Sequence, residues 1–144
     1  MPEITTDLPR VLVAEDDDSL RRLLELRLTA DGYAVKLAED GVTALREVDA
    51  WRPDVIVCDV MMPNLSGLSV CRELRSRPAY AKLPIVLLTA RVFDEDIQEV
   101  MRLGHITYMS KPFDFKALDD TLQLVLEEGI LNGDAAPELA SKGS

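Results

Sequence analysis

Three short runs without a polar residue, Val11–Ala14 (VLVA), Val55–Cys58 (VIVC) and Ile85–Leu88 (IVLL), constrain this chain more than any other feature. A strand with no polar alternation cannot turn one face to water; it belongs in a parallel sheet covered on both sides. Ile106–Met109 (ITYM) is a weaker fourth run, and Ala34–Leu37 (AVKL) reads as an edge strand. Between the runs, apolar residues recur at helical spacing. Leu20, Leu23, Leu24 and Leu28 share one face, as do Ala44, Leu45 and Val48 after Gly41. Val70, Cys71 and Leu74 form a third stripe, Ile97, Val100 and Met101 a fourth, and Leu118, Leu122, Val125 and Leu126 a fifth. Strand–helix pairs repeated about five times predict an α/β fold: a doubly wound, five-stranded parallel sheet with helices on both faces.

The 144 residues suit one domain with a sizeable core. We expect an N-terminal extension over 1–8, the folded domain over 9–128, and a flexible tail or linker over 129–144, where the apolar pattern stops and Gly, Ala, Pro and Ser dominate. No apolar run approaches the roughly 20 residues that span a membrane. The start, MPEITTDLPR, lacks the basic and apolar regions of a secretory signal. Two cysteines, Cys58 and Cys71, make no disulfide framework, so a cytoplasmic location is expected. The net charge of −10 argues against binding nucleic acid through this chain.

Topology decides which residues meet. Right-handed crossovers bring the C-terminal ends of parallel strands to one edge of the sheet, and ligand sites in open α/β folds form there. In chain order, Glu15, Asp16, Asp17 and Asp18 follow the first strand, Asp59 the third (Val55–Cys58), Thr89 the fourth (Ile85–Leu88), and Ser110, Lys111 and Pro112 the fifth (Ile106–Met109). Acids, a hydroxyl and an ammonium are therefore expected around one shallow pocket centred on Asp59. Carboxylates crowded in this way repel unless they share a hard cation, and a few oxygen ligands with room for water suit Mg²⁺ or Mn²⁺. The Thr89 hydroxyl and Lys111 ammonium would bind phosphoryl oxygens, and backbone N–H groups after the strands would add donors. A carboxylate held against such a metal can act as a nucleophile and form an aspartyl phosphate. Asp59 occupies that position.

The stretches VLVAEDDDSLRRLL, VIVCDVMMPNLSG, PIVLLTAR and YMSKPF, in this order and spacing, resemble the receiver domain of two-component response regulators over Pro9 to about Glu128. The resemblance implies a flavodoxin-like fold of strand order 2-1-3-4-5. It implies Asp59 as phosphoacceptor, Asp16 as a direct metal ligand and Glu15 as the other half of the acidic pair. It also implies a metal-binding backbone carbonyl at Met61, a phosphate-binding Thr89 and Lys111, and an aromatic switch residue at Tyr108. The partners it implies are a sensor histidine kinase or a histidine phosphotransfer protein. A phosphorylation-dependent homodimer or output partner is expected on the surface built from the helix after Thr89, the fifth strand and the final helix. Such a domain is not an enzyme toward other substrates; it catalyses only its own phosphorylation and dephosphorylation. Glu15 stands where the family more often has aspartate, Asp18 where proline is frequent, and His105 where alanine is common.

Two other classes stand beside this reading. A Mg²⁺-dependent aspartyl-phosphate hydrolase of the haloacid-dehalogenase type carries a second aspartate two residues after the nucleophile; here that position is Met61. A non-phosphorylated binding module is the other. A flavodoxin-like nucleotide binder wants a Ser, Thr or Gly loop after the first strand, where EDDD would repel phosphate, and a degenerate receiver would lack Asp59, Thr89 or Lys111. Each acid also has a plainer role, since anions favour helix N-termini. Lys111-Pro112 can be a turn, His105 an exposed loop residue, Met61-Met62 packing, and Cys58 a buried, inert thiol.

Overall fold

The structure, a computed structural model, describes residues 8–90 and 94–131, with side chains through 128. Five parallel strands, β1 (Arg10–Ala14), β2 (Ala34–Ala38), β3 (Val55–Asp59), β4 (Ile85–Thr89) and β5 (Ile106–Ser110), lie in the order β2-β1-β3-β4-β5. Helices α1 (Asp18–Ala30), α2 (Gly41–Trp51), α3 (Gly67–Arg75), α4 (Glu95–Met101) and α5 (Phe115–Leu131) alternate with them, and a 3₁₀ turn, Pro78–Tyr80, precedes β4. The doubly wound parallel sheet expected from the runs is present, in the flavodoxin-like strand order that the resemblance implies.

The strand sequences account for their places in the sheet. The entirely apolar β3 and β4 cores and β1 sit in the middle and are buried, whereas the mixed AVKLA and ITYMS strands form the half-exposed edges. Alternate residues feed opposite faces. Leu12, Ile56, Cys58, Ile85 and Leu87 pack under α2, α3 and α4 with Val48, Val70, Leu74 and Ile97. Val11, Val13, Val57, Val86 and Leu88 pack with Leu24 and Leu28 of α1 and Leu118 and Leu122 of α5. Both cysteines are buried, and burial pushes the Cys58 thiol well up and the Cys71 thiol up to about 12, so both are inert.

Four helices begin at a side-chain cap. Asp17, Asp40, Ser66 and Asp94 each accept a backbone N–H from the first turn of α1, α2, α3 and α4. The acids after β1 thus divide their labour, with Asp17 capping, Glu15 and Asp16 at the pocket, and Asp18 exposed beside Arg21.

Several expectations need correction. Leu23 is exposed rather than part of the α1 stripe, because at 100° per residue it points away from the face on which Leu24 and Leu28 lie. Asp59 and Thr89 are the last residues of their strands, not the first after them. His105 is half-buried, and its φ of 60° together with 92° at Gly104 makes a left-handed turn into β5. The His105 carbonyl accepts from the Ile85 N–H and from Arg75, so this turn is locked to β4 and α3. Met61 is exposed and does not pack, whereas Met62 rests against the core. Helix α5 continues past Gly129 to Leu131, so the boundary drawn at 128 falls inside a helix. Residues 1–7 and 132–144, which include most of the extension and the tail, lie outside the described residues, as does Arg91.

Candidate metal and phosphoryl site

The C-terminal ends of β1, β3, β4 and β5 place the expected residues together. Glu15 leaves β1 with its N–H bonded to the Ala38 carbonyl (3.0 Å), and its side chain turns inward to complete burial. There it accepts the Asp17 N–H at 3.1 Å. Asp59, 5% exposed, is held from both sides, accepting the Met61 N–H at 3.3 Å on Oδ1 and the Lys111 ammonium at 3.0 Å on Oδ2. The same ammonium lies 3.2 Å from Glu15 Oε1. Asp16 is exposed above them, and carboxylate oxygens of Glu15, Asp16 and Asp59 fall within 4.8 Å of one another.

Lys111 reaches this position because its own N–H bonds to the Thr89 carbonyl (2.8 Å) just past the β5 end. Thr89 is buried at the end of the neighbouring strand. Tyr108 pairs in register with Leu87, two residues before Thr89, so Tyr108 and Thr89 share one face of the sheet. Tyr108 is half-buried against the α2–α4 core. Beneath the pocket, α3 starts so close to β3 that a Cβ on Gly67 would lie 2.3 Å from the Asp59 carbonyl oxygen. Only glycine admits this approach.

Electrostatics follow from the geometry. Burial, with the adjoining Asp59 charge, pushes the Glu15 carboxyl up to about 7, against the opposing pull of the Asp17 N–H and Lys111. Burial acts against the Lys111 charge, but hydrogen bonds and charges from Asp59 and Glu15 outweigh it and hold its pKa up. One cation among three carboxylates leaves the pocket electronegative. Hard oxygens in this number and spacing fit a small divalent cation, and the fit rests on this crowding, not on acidity alone.

Arg21 went unread in the sequence. Its guanidinium donates to the Glu15 carbonyl (2.9 Å) and the Asp16 carbonyl (3.4 Å) and pairs with Asp18, clamping the acidic loop from outside. The i,i+3 spacing of Asp18 and Arg21 signals the pair, but nothing in the spacing signals the carbonyl contacts.

Comparison with known proteins bears on the family and the fold. The response regulator receiver domain model matches residues 11–123. The transcriptional regulatory protein AfsQ1 of Streptomyces coelicolor is 41% identical over 122 residues, covering 85% of this chain and 53% of that protein. The chain therefore spans about half the length of the curated relatives it matches. Among solved structures, the chemotaxis protein CheY4 of Vibrio cholerae superposes with a TM-score of 0.76 at 35% identity, covering 82% of this chain and 98% of that one. The receiver domain of the sensor histidine kinase PA1611 from Pseudomonas aeruginosa, a structure with a magnesium ion coordinated in its active-site cleft, gives 0.76 at 31% identity, covering 85% and 99%. Family match, sheet order and clustered acids converge, and the chain belongs to the response regulator receiver domain family.

Proposed function

We propose that this domain is a phosphorylation switch whose Asp59 takes a phosphoryl group from a phosphohistidine of a sensor kinase or phosphotransfer protein. The observation that carries this reading is the Lys111 ammonium bridging Glu15 and Asp59, 3.2 and 3.0 Å away, beside the exposed Asp16. In the transfer, an Asp59 carboxylate oxygen forms the new P–O bond, the P–N bond to histidine breaks, and the leaving nitrogen takes a proton from solvent. Glu15, Asp16, Asp59 and the Met61 carbonyl would hold Mg²⁺ (or Mn²⁺), which supplies charge neutralisation for the incoming phosphoryl oxygens. Lys111 provides a second positive charge, and Thr89 a hydroxyl at the end of the adjoining strand. The position where haloacid-dehalogenase-type phosphatases carry their second aspartate is Met61 here, which argues against turnover of external substrates and for an activity confined to the domain's own phosphorylation and dephosphorylation.

The readout is a change of surface across α4, β5 and α5. Phosphate on Asp59 offers the Thr89 hydroxyl a new acceptor, and the space Thr89 vacates lies on the face that Tyr108 shares. The group biases a two-state equilibrium through these differential contacts. Asp94, Glu95, Asp96 and Arg102 on and beside α4, with Lys116 and Asp120 on α5, give this face a mixed charge suited to a reversible, salt-sensitive partner or a second copy, whereas Glu99 pairs with Arg72 of α3 and Asp119 accepts from Tyr33 on the opposite side of α5. The test is prompt intact-mass measurement with acetyl phosphate and Mg²⁺, followed by amide exchange with beryllofluoride. One added phosphoryl group, lost in Asp16→Asn, and slowed exchange between Thr89 and Leu122 are expected. No added mass in the wild type would refute the switch.

The raised Glu15 carboxyl gives a pH dependence. Because its folded value lies near 7, above the ordinary 4.5, its contribution to metal-free stability is fully present below about 4.5 and lost as pH rises through about 7. A cation requires the ionised acid, so binding releases a proton below that range. Thermal melts at pH 6 and pH 8 should therefore show a larger stabilisation by a fixed Mg²⁺ concentration at the higher pH. An equal or smaller gain at pH 8 would remove Glu15 from the metal's surroundings.

A further inference from the structure

The loop between β3 and α3 carries the Met61 carbonyl, and its shape is controlled from a different element. Its two ends are fixed: Val60 N–H bonds to the Leu88 carbonyl, and Gly67 N–H closes back on the Val60 carbonyl at 2.9 Å. Between them the chain leaves the sheet, turns tightly through a Leu65 N–H to Pro63 carbonyl bond, and places Asn64 in the left-handed region at φ 69°. Asparagine tolerates that conformation. At this apex Asn64 Nδ2 donates to Asp40 Oδ2 across 3.0 Å, while Oδ1 of the same carboxylate caps α2 through the Thr43 N–H at 2.8 Å. Directly beside it, a Cβ on Gly41 would lie 2.2 Å from the Leu65 carbonyl oxygen. The start of α2 and the loop apex are thus built to touch.

We propose that Asp40 and Asn64 are a positioning pair that sets the Met61 carbonyl, and through it the affinity of the acidic pocket for a divalent cation. The proposal rests on the reading of the pocket given above. The pair acts sideways: the sheet fixes residues 59 and 60, α3 fixes residue 67, and the Asp40 contact fixes where the apex lies relative to α2. Residue 61 sits between the first anchor and the apex, with its N–H already turned to Asp59 Oδ1. A free apex would let the 61 carbonyl rotate, and a ligand held in several orientations binds less tightly than one held in one. Asp40 can serve both tasks because a carboxylate has an oxygen for each.

The experiment is calorimetric titration of the whole chain with Mg²⁺. In Asn64→Asp the apex keeps its shape and its tolerance of positive φ, but the donor is gone and two carboxylates face each other. The added negative charge alone would tighten Mg²⁺ binding, whereas the lost tether should weaken it about fivefold, the scale of one net hydrogen bond. Asp40→Ser, which still caps α2, should weaken it similarly. The exchange Asp40→Asn with Asn64→Asp restores a donor–acceptor pair in reverse and keeps a good cap, so affinity should return to within about twofold. Unchanged or tighter binding in Asn64→Asp, or an exchange variant as weak as the single one, would overturn the pair. A wild type that bound no Mg²⁺ would overturn the pocket reading and the pair together, whereas intact binding insensitive to all three variants would overturn the pair alone.

Discussion

Asp59→Asn is expected to abolish phosphorylation by acetyl phosphate while leaving the domain folded. The amide matches the carboxylate in size, so the packing over Gly67 and β4 survives, but it carries no nucleophilic oxygen. The same change removes a negative charge from beside Glu15, which should lower the Glu15 carboxyl from its raised position, since the Asp59 charge is one of its causes. Metal-free stability should therefore hold or rise, because a pocket of two buried acids, the exposed Asp16 and one ammonium becomes less crowded. Intact mass taken promptly after mixing checks the first expectation, and a urea melt checks the second. A phosphoryl mass that persisted in the variant would place the acceptor elsewhere.

Lys111→Met is expected to separate metal binding from transfer. The thioether keeps much of the aliphatic stem but not the charge that bridges Glu15 and Asp59. Loss of one preorganised donor to a transferring group typically slows the chemical step by about 10²–10³-fold, and phosphorylation should fall by that order. Mg²⁺ affinity should hold or increase, because the remaining acids are no longer neutralised. Stability without Mg²⁺ should fall, by less than the roughly 3–5 kcal/mol of a fully buried broken pair, since Lys111 is 26% exposed and water screens it. Lys111→Arg should not rescue transfer, because a planar fork cannot replace a compact ammonium between two carboxylates. Phosphorylation rates with acetyl phosphate and Mg²⁺ titration decide the matter. Weakened Mg²⁺ binding alongside a mild rate loss would make Lys111 a structural residue.

How much of this was legible in the residues differs by feature. The five parallel strands could be expected because apolar runs and helical stripes leave few alternatives, whereas the sheet order followed only from the resemblance of four stretches to receiver domains. Glu15, Asp16, Asp59, Thr89 and Lys111 could be gathered into one pocket because each stands at a strand's end. Leu23 could not be excluded from the α1 stripe by spacing alone, since leucines at i, i+3, i+4 and i+8 do not reveal how wide the buried face is. His105 read as an exposed loop residue, yet its backbone is locked by Arg75, 30 positions earlier.

Residue type and local periodicity were enough for the class of fold and the chemistry of the pocket, because both depend on which side chains stand at positions that the periodicity marks. The remainder belongs to the folded chain. That Lys111 spans two carboxylates, that Arg21 clamps the acidic loop, that Tyr108 shares a face with Thr89, and that Asp40 caps one helix while holding Asn64 are facts of register and approach. Such contacts join residues up to 96 positions apart. Their geometry is set by how the two packed faces bring the strand ends together, and no local pattern encodes a distance of about 3 Å between distant side chains.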